Sequence, residues 1–365
     1  MSNMKKLFVL STSFLILSNA TYAQDHNHGH HHHGHDKNWA VHLDTRTYIT
    51  NIYSANEADE EVSGIFSHSH IEGTYQLSNH LSLNGSIVLE GDPAGHAHGG
   101  GNARTGNRFF DDHPLFIEQL TVNYNDEHYG AFAGKFNPTL GVDMHDVPGW
   151  FGLFTFEEFE ITERIGFGGH VAWNDHRLDV STFFADTTFL QESALYDRET
   201  IEGEDGGVAN TEDFASYAIQ LSGNIIQPVS YYIGYADQSN DAGNDEDRFV
   251  IGLNAHHDIT DALSINGMAD ITDITHLNGE DDHDRTYITL GFGADYKNWT
   301  TGATYTKIDN DSSDATEGMD GSISQISIGY NLGHGFGIDV GHVRSNEEGE
   351  TSKRLGSLLR YHADF

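Results

Sequence analysis

The sequence predicts an all-β fold, a transmembrane antiparallel up-and-down β-barrel of about 16 strands, and three observations lead there. From Trp39 to Phe365 the chain is a succession of runs in which apolar and polar side chains alternate. Each run is close to the roughly 9–11 residues that a tilted strand needs to cross a bilayer. The connections between runs alternate between short and long, and aromatic residues such as Tyr75, Tyr124, Trp173 and Trp299 gather near the run ends.

Residues 1–23 have the layout of a secretory signal peptide: Lys5 and Lys6, an apolar run from Leu7 to Leu17, then small residues ending at Ala23. That run is shorter than the ~20 apolar residues of a membrane-spanning helix, so it is expected to be removed rather than to anchor. Residues 24–37 form a His-rich tail, "QDHNHGHHHHGHDK", and residues 38–365 form the barrel.

Period two is the mark of a strand whose faces meet different surroundings. In "WAVHLDTRTYITNIY" Trp39, Val41, Leu43, Ile49 and Tyr53 share one face, while His42, Asp44 and Arg46 share the other. Ile165, Phe167, Val171 and Trp173 alternate with small residues and His170 in the same way. The candidates in order are 39–53, 63–77, 81–91, 114–124, 128–137, 163–173, 178–187, 213–223, 229–238, 247–257, 262–272, 285–296, 299–308, 321–332, 336–345 and 353–365. Short connections such as "SNH" (78–80), "NDE" (125–127), "NDHR" (174–177), "DITD" (258–261) and "GHG" (333–335) trade places with long acidic ones at 92–113, 138–162, 188–212 and 309–320.

A soluble β-sandwich also alternates, but nothing obliges it to keep its long loops at one end. A closed barrel in a bilayer has two solvents at its two ends and satisfies every backbone group within lipid. Short turns on one side, long loops on the other and an aromatic girdle at each interface are its expected features.

Composition removes several functions. The chain has no cysteine, which excludes disulfides and thiolate chemistry. Its formal charge is −38, and loss of Lys5 and Lys6 takes it to about −40, so nucleic acid is excluded as a partner. No G-x-S-x-G elbow appears, and "HSH" (68–70) has no defined acidic partner in sequence, so no enzyme is expected.

Two motifs carry a family resemblance. The final strand ends on Phe365 with apolar or aromatic residues, Tyr361 among them, at every second position before it, and "GKFNPTLG" spans 134–141. In these features, and over the whole stretch from Trp39 to Phe365, the chain resembles the Gram-negative outer-membrane porins of the 16-stranded type. The resemblance implies location in the outer membrane, contact with lipid and lipopolysaccharide, and a terminal signal at Tyr361 and Phe365 read by the barrel-assembly machinery. It also implies a homotrimer and passive diffusion of small hydrophilic solutes. In that family the third long loop folds into the lumen, here "PTLGVDMHDVPGWFGLFTFEEFE".

If loop 3 does so, Asp143, His145, Asp146, Glu157, Glu158, Glu160 and Glu163 would crowd the narrowest part. Arg46, Lys135, Arg164, Arg248, Arg354 and Arg360, on the polar side of their strands, would face them. Opposed charge rows select polar solutes, and the acidic balance predicts a preference for cations. The acidic stretches 243–247, 281–285 and 310–320 offer oxygen ligands for loose Ca²⁺ or Mg²⁺ association, without the spacing of a defined calcium loop.

The tail offers His26, His28, His30, His31, His32, His33 and His35. Imidazoles suit Zn²⁺, Cu²⁺ and Ni²⁺, and such a tract can combine them in several ligand sets. Asn27, Gly29 and Gly34 interrupt the run, and the enrichment continues at 68–70, 96–98 and 256–257, unlike an appended affinity tag. No cofactor is required for diffusion. Two functions remain in view: a cation-preferring diffusion channel whose cargo extends to metal ions or chelates such as a ferric siderophore, and an adhesin or structural barrel without an open channel.

Overall fold

The structure is a computed structural model that describes residues 38–91, 106–149, 159–198, 200–211, 213–312, 318–347 and 349–365. The His-rich tail, the segment 1–23 and the side chains of His145, Glu157 and Glu158 lie outside the described residues.

Sixteen long strands close into one antiparallel barrel. They are β1 (Trp39–Ser54), β2 (Ser63–Gln76), β3 (Leu81–Glu90), β4 (Leu115–Asn125), β5 (Tyr129–Phe136), β6 (Arg164–Trp173), β7 (His176–Ala185) and β8 (Ser216–Ile226). The second half is β9 (Val229–Gln238), β10 (Glu246–Thr260), β11 (Leu263–Thr275), β12 (His283–Tyr296), β13 (Trp299–Ser312), β14 (Gly321–Gly333), β15 (Phe336–Glu347) and β16 (Glu350–Asp364). Each pairs with its chain neighbours, and β1 closes on β16 with Arg46 opposite Arg360. The Phe365 N–H donates to the Val41 carbonyl at 2.9 Å, which seals the seam to the last residue.

The alternation read in the sequence is the alternation of the wall. Ile49, Phe167, Leu290, Ile326 and Leu359 stand exposed on the outside, while Tyr48 and Leu358, one residue from Ile49 and Leu359, are buried within. An apolar outer belt with every strand paired suits lipid on the outside, where an Arg at mid-depth costs about 2–4 kcal/mol.

Connections 77–80, 126–128, 174–175, 227–228, 261–262, 297–298 and 334–335 share one rim with both ends of the barrel. The opposite rim carries 91–114, 137–163 and 186–215, together with shorter connections. Three details differ from the sequence reading. The β6–β7 turn is two residues, so β7 starts at His176. β13 runs on to Ser312 through residues read as loop. The last connection on the long-loop rim is only 348–349.

Two-residue strands patch the wall where loops leave it. β5 pairs with β4 from Leu120 to Asn125 and ends at Phe136, which leaves the upper edge of β4 open. Ser193–Ala194 of the loop 186–215 pairs there with Leu115 and Phe116. Arg108–Phe109 pairs in parallel with Gly64 and Ile65 of β2.

Candidate functional site: the loop inside the lumen

The described residues of loop 3, 137–149 and 159–163, leave the wall beside β5 and lie inward. Gly134, with φ +139, prepares the departure: a Cβ there would lie 2.1 Å from the Leu120 carbonyl oxygen, so only glycine lets β5 approach β4 this closely. Asn137 then anchors both ends of the loop, donating to Glu118 Oε1 at 2.9 Å and accepting from the Glu163 N–H at 2.8 Å.

From that base the loop runs along the wall of β8 to β14. The Gly141 N–H donates to Gln220 Oε1 at 2.6 Å, and Leu140 packs beside Gly234 and Val250. Thr304 Oγ1 donates to the Pro148 carbonyl at 2.6 Å. Gly149 lies so close to Gly302 that a Cβ at 302 would meet its nitrogen at 2.2 Å. On the way back, Arg248 donates to the Phe159 carbonyl at 2.6 Å while pairing with Glu246 at 2.6 Å. Val142, Val147 and Phe159 join inward-facing Tyr48, Phe66, Tyr232, Tyr287 and others in one buried apolar cluster. The Phe159 ring lies 4.9 Å from that of Tyr287. Burying apolar surface against the wall, at about 25 cal/mol per Å², is what holds a water-soluble loop inside a barrel.

The acidic residues of the loop meet the other wall. Asp143 and Asp146 both act electrostatically on Arg46 of β1, which is itself held by Asp44 at 2.9 Å. Glu160 accepts from the Met144 N–H at 2.7 Å. Burial, reinforced by Asp143, pushes the Asp146 carboxyl up to about 8 against the pull of Arg46. Burial and Asp143 likewise hold Glu160 well above the usual carboxylate range. Two carboxyls facing a third at low solvation keep their protons more readily than in water.

Not every predicted residue stands at this constriction. Lys135 is a correction: it shares the outward side of β5 with exposed Tyr129 and is covered by the loop 186–215. There it pairs with Glu163 and Asp186, each at 2.7 Å, and donates to the Leu190 carbonyl. Glu163 is also clamped by Arg198, whose guanidinium lies 3.8 Å over the Phe116 ring. Both residues pin a loop to the wall, because a buried ammonium needs carboxylates around it more than it needs a channel. Arg164 reaches Gln238 at 3.0 Å near the loop base. Arg360 pairs with Asp339 at 2.6 Å, and Arg354 is buried in the wall of β16. Tyr361 packs on Phe336 at the short-turn rim, with Phe365 exposed beyond it.

The acidic stretches brace neighbouring loops: Asp245 accepts from the Asn240 N–H, Asp281 from Asn244, and Asp284 from the His276 N–H. Sequence reasoning passed over Glu118, Gln220 and Thr304, which position the loop. For Gln220 and Thr304 the signal was inward parity on β8 and β13, whereas Glu118 faces inward through a bulge in β4.

No protein-family signature matches the sequence. No curated protein matches it either. Solved structures do. OccAB4 of Acinetobacter baumannii is 9% identical with a TM-score of 0.53, over 90% of this chain and 99% of its own. OpdK, an outer membrane protein of Pseudomonas aeruginosa, is 8% identical at 0.54, with the same coverage. OmpT of Vibrio cholerae, from the outer membrane, is 8% identical at 0.54 over 90% and 99%. The chain has the fold of 16-stranded outer-membrane barrels. At such identity the likeness speaks to architecture, and the chemistry of the lumen has to be read from this chain's own residues.

Proposed function

We propose that the protein is an outer-membrane channel for passive diffusion of small hydrophilic solutes, with a preference for cations. The observation that supports this reading is the inward position of loop residues 137–149 and 159–163 against the lumenal wall of a closed barrel. The formal charge of −38 favours cations over anions. Metal ions or their chelates are the narrower cargo class, with the seven histidines of the tail as a collecting tract.

The test is single-channel conductance of the refolded chain lacking residues 1–23 in a planar bilayer under a salt gradient. Stable steps with a cation-selective reversal potential are expected, and deletion of 138–162 should enlarge them severalfold. A barrel that inserts without conducting overturns the reading. One observation favours that second outcome: the apolar packing of Val142, Val147 and Phe159 against the wall fills part of the lumen, as an adhesin or structural barrel would tolerate. Assembly as a homotrimer, contact with lipopolysaccharide through loops that also take up Ca²⁺ or Mg²⁺, and recognition of Tyr361 and Phe365 by the assembly machinery complete the proposal.

A further inference from the structure

On a chain with a formal charge of −38, the lipid side of β13 to β16 carries cations near the long-loop rim. Besides the covered Lys135, the outward cations of the sixteen strands are Lys307, Arg344 and Lys353. Lys307 is paired with Asp309 on its own strand. Arg344 of β15 and Lys353 of β16 instead stand directly opposite each other in the ladder. Facing residues of an antiparallel pair hold their Cβ atoms about 4.5–5.5 Å apart, and like charges so placed destabilise the sheet. Among the described residues no carboxylate pairs with either one. Glu347 and Glu350 at the strand ends fall on the inward parity, where Glu347 accepts from Ser345 Oγ. The facing residues on the flanking strands are neutral: Ser324 of β14 opposite Arg344, and Ser54 of β1 opposite Lys353.

The depth of the pair is marked by its neighbours. Two residues from Lys353 toward the short turns, Leu355 is exposed in the apolar belt. Two residues from Arg344, His342 Nε2 meets the Tyr53 hydroxyl at 2.8 Å. A tyrosine with an exposed ring and a hydrogen-bonded hydroxyl belongs at the interface between hydrocarbon and headgroups. The two cations therefore stand at headgroup level on the long-loop side, where a charge on the lipid face is tolerated.

We propose that Arg344 and Lys353 form a binding site on the outer wall for a phosphate of lipopolysaccharide, the phosphorylated glycolipid of the outer leaflet. The inference rests on the outer-membrane location and goes beyond the channel reading. A guanidinium fork takes two phosphate oxygens at once, and the lysine adds a compact point charge. A phosphate between the two turns their mutual repulsion into two attractions. The acyl chains of the same lipid would lie along Leu355, Leu359 and Val340, exposed on the same two strands. A free phosphate has no use for that apolar surface, so the surroundings favour a lipid. This contact needs no metal, which separates it from divalent-ion bridges at the acidic loops.

The experiment uses the refolded chain lacking residues 1–23 in detergent micelles, with EDTA present so that metal-bridged contacts are removed. Native mass spectrometry measures the Kd for lipid A bearing two phosphates and for the same lipid stripped of them. The phosphorylated form should bind, and the stripped form should bind about tenfold or more weakly. Arg344→Gln with Lys353→Gln should raise the Kd by about the same factor. Lys307→Gln should leave it unchanged, because that cation already has its carboxylate. Arg344→Lys with Lys353→Arg, which keeps both charges, should retain the binding that the glutamine pair loses, and gel mobility before and after heating checks that each variant forms a closed barrel. An unchanged Kd in the glutamine pair overturns the site, as does binding by the parent chain that disappears in EDTA. Competition by inorganic phosphate or phosphatidylglycerol at the same concentration as lipid A overturns the assignment to the glycolipid. A barrel that binds lipid A in this way without conducting overturns the channel reading and upholds the site.

Discussion

The two sides of the lumen treat loop 3 differently. The wall from β8 to β14 grips it through main-chain hydrogen bonds at Gly141, Pro148 and Phe159 and through the apolar cluster. The wall of β1 to β4 meets it with charge: Arg46 and Asp44 opposite Asp143, and His70 and Glu118 close by. Hydrogen bonds and apolar burial fix a position, whereas opposed charges across a gap set a field. One wall therefore positions the loop, and the other defines what passes beside it.

The sharpest way to break this division is to remove the grip. Arg248 and Glu246 are both buried, and Arg248→Ala leaves Glu246 without its counter-charge while freeing the Phe159 carbonyl. Breaking a buried pair costs about 3–5 kcal/mol, so the thermal transition should fall and the current should flicker between levels as the loop leaves the wall. Arg46→Ala on the opposite wall should leave the mean current level steady and shift the reversal potential further toward cations. An equal flicker in both variants would erase the distinction between the walls.

A smaller effect is expected where the grip is steric. Leu at position 302 would drive into Gly149, and overpacking of this kind costs about 1–3 kcal/mol. Gly302→Leu should displace the loop and raise unit conductance, while Gly267→Leu, where a Cβ meets nothing nearer than the Gly291 carbonyl oxygen at 3.6 Å, should not. Conductance measured side by side on the two variants checks this.

The barrel was legible because a bilayer imposes period two on every strand, and a misplaced boundary does not change the pattern. Strand β9 is found at 229–238 as read, and β1 is longer by one residue. The lumen was less legible, since charge on the inward parity says which side a residue faces and not what covers it. Lys135 shows the limit: its strand reads as a porin motif, but the loop 186–215, distant in sequence, buries it against the outer wall. Glu118 shows the reverse. Its bulge on β4, between Gln119 and Ile117 in the pairing with β3, turns inward a residue that strict alternation assigns elsewhere. Side chains from a third element decide both cases, and no period in one strand encodes them.

The smallest expected effect is on pH. Asp146 holds its proton up to about 8 while the loop is docked, against 3.8 for the ordinary carboxyl, and Glu160 is displaced in the same direction. The docked loop thus binds protons that a released loop gives up. Its advantage is full below about pH 4, falls as pH rises through the interval between the two values, and is constant above about pH 8. The facing Arg46 tempers the change, since it favours the ionised form. Unit conductance should therefore rise gradually from pH 5 to pH 8 and level off beyond it. Asp146→Asn should flatten part of the rise, and Asp146→Asn with Glu160→Gln should abolish it, because neither displaced carboxyl is then left to titrate. A profile that stays unchanged in the double variant would move the titration to the opposite wall, where the carboxylates of β2 and β4 face the same water, and would make that wall a gate as well as a filter.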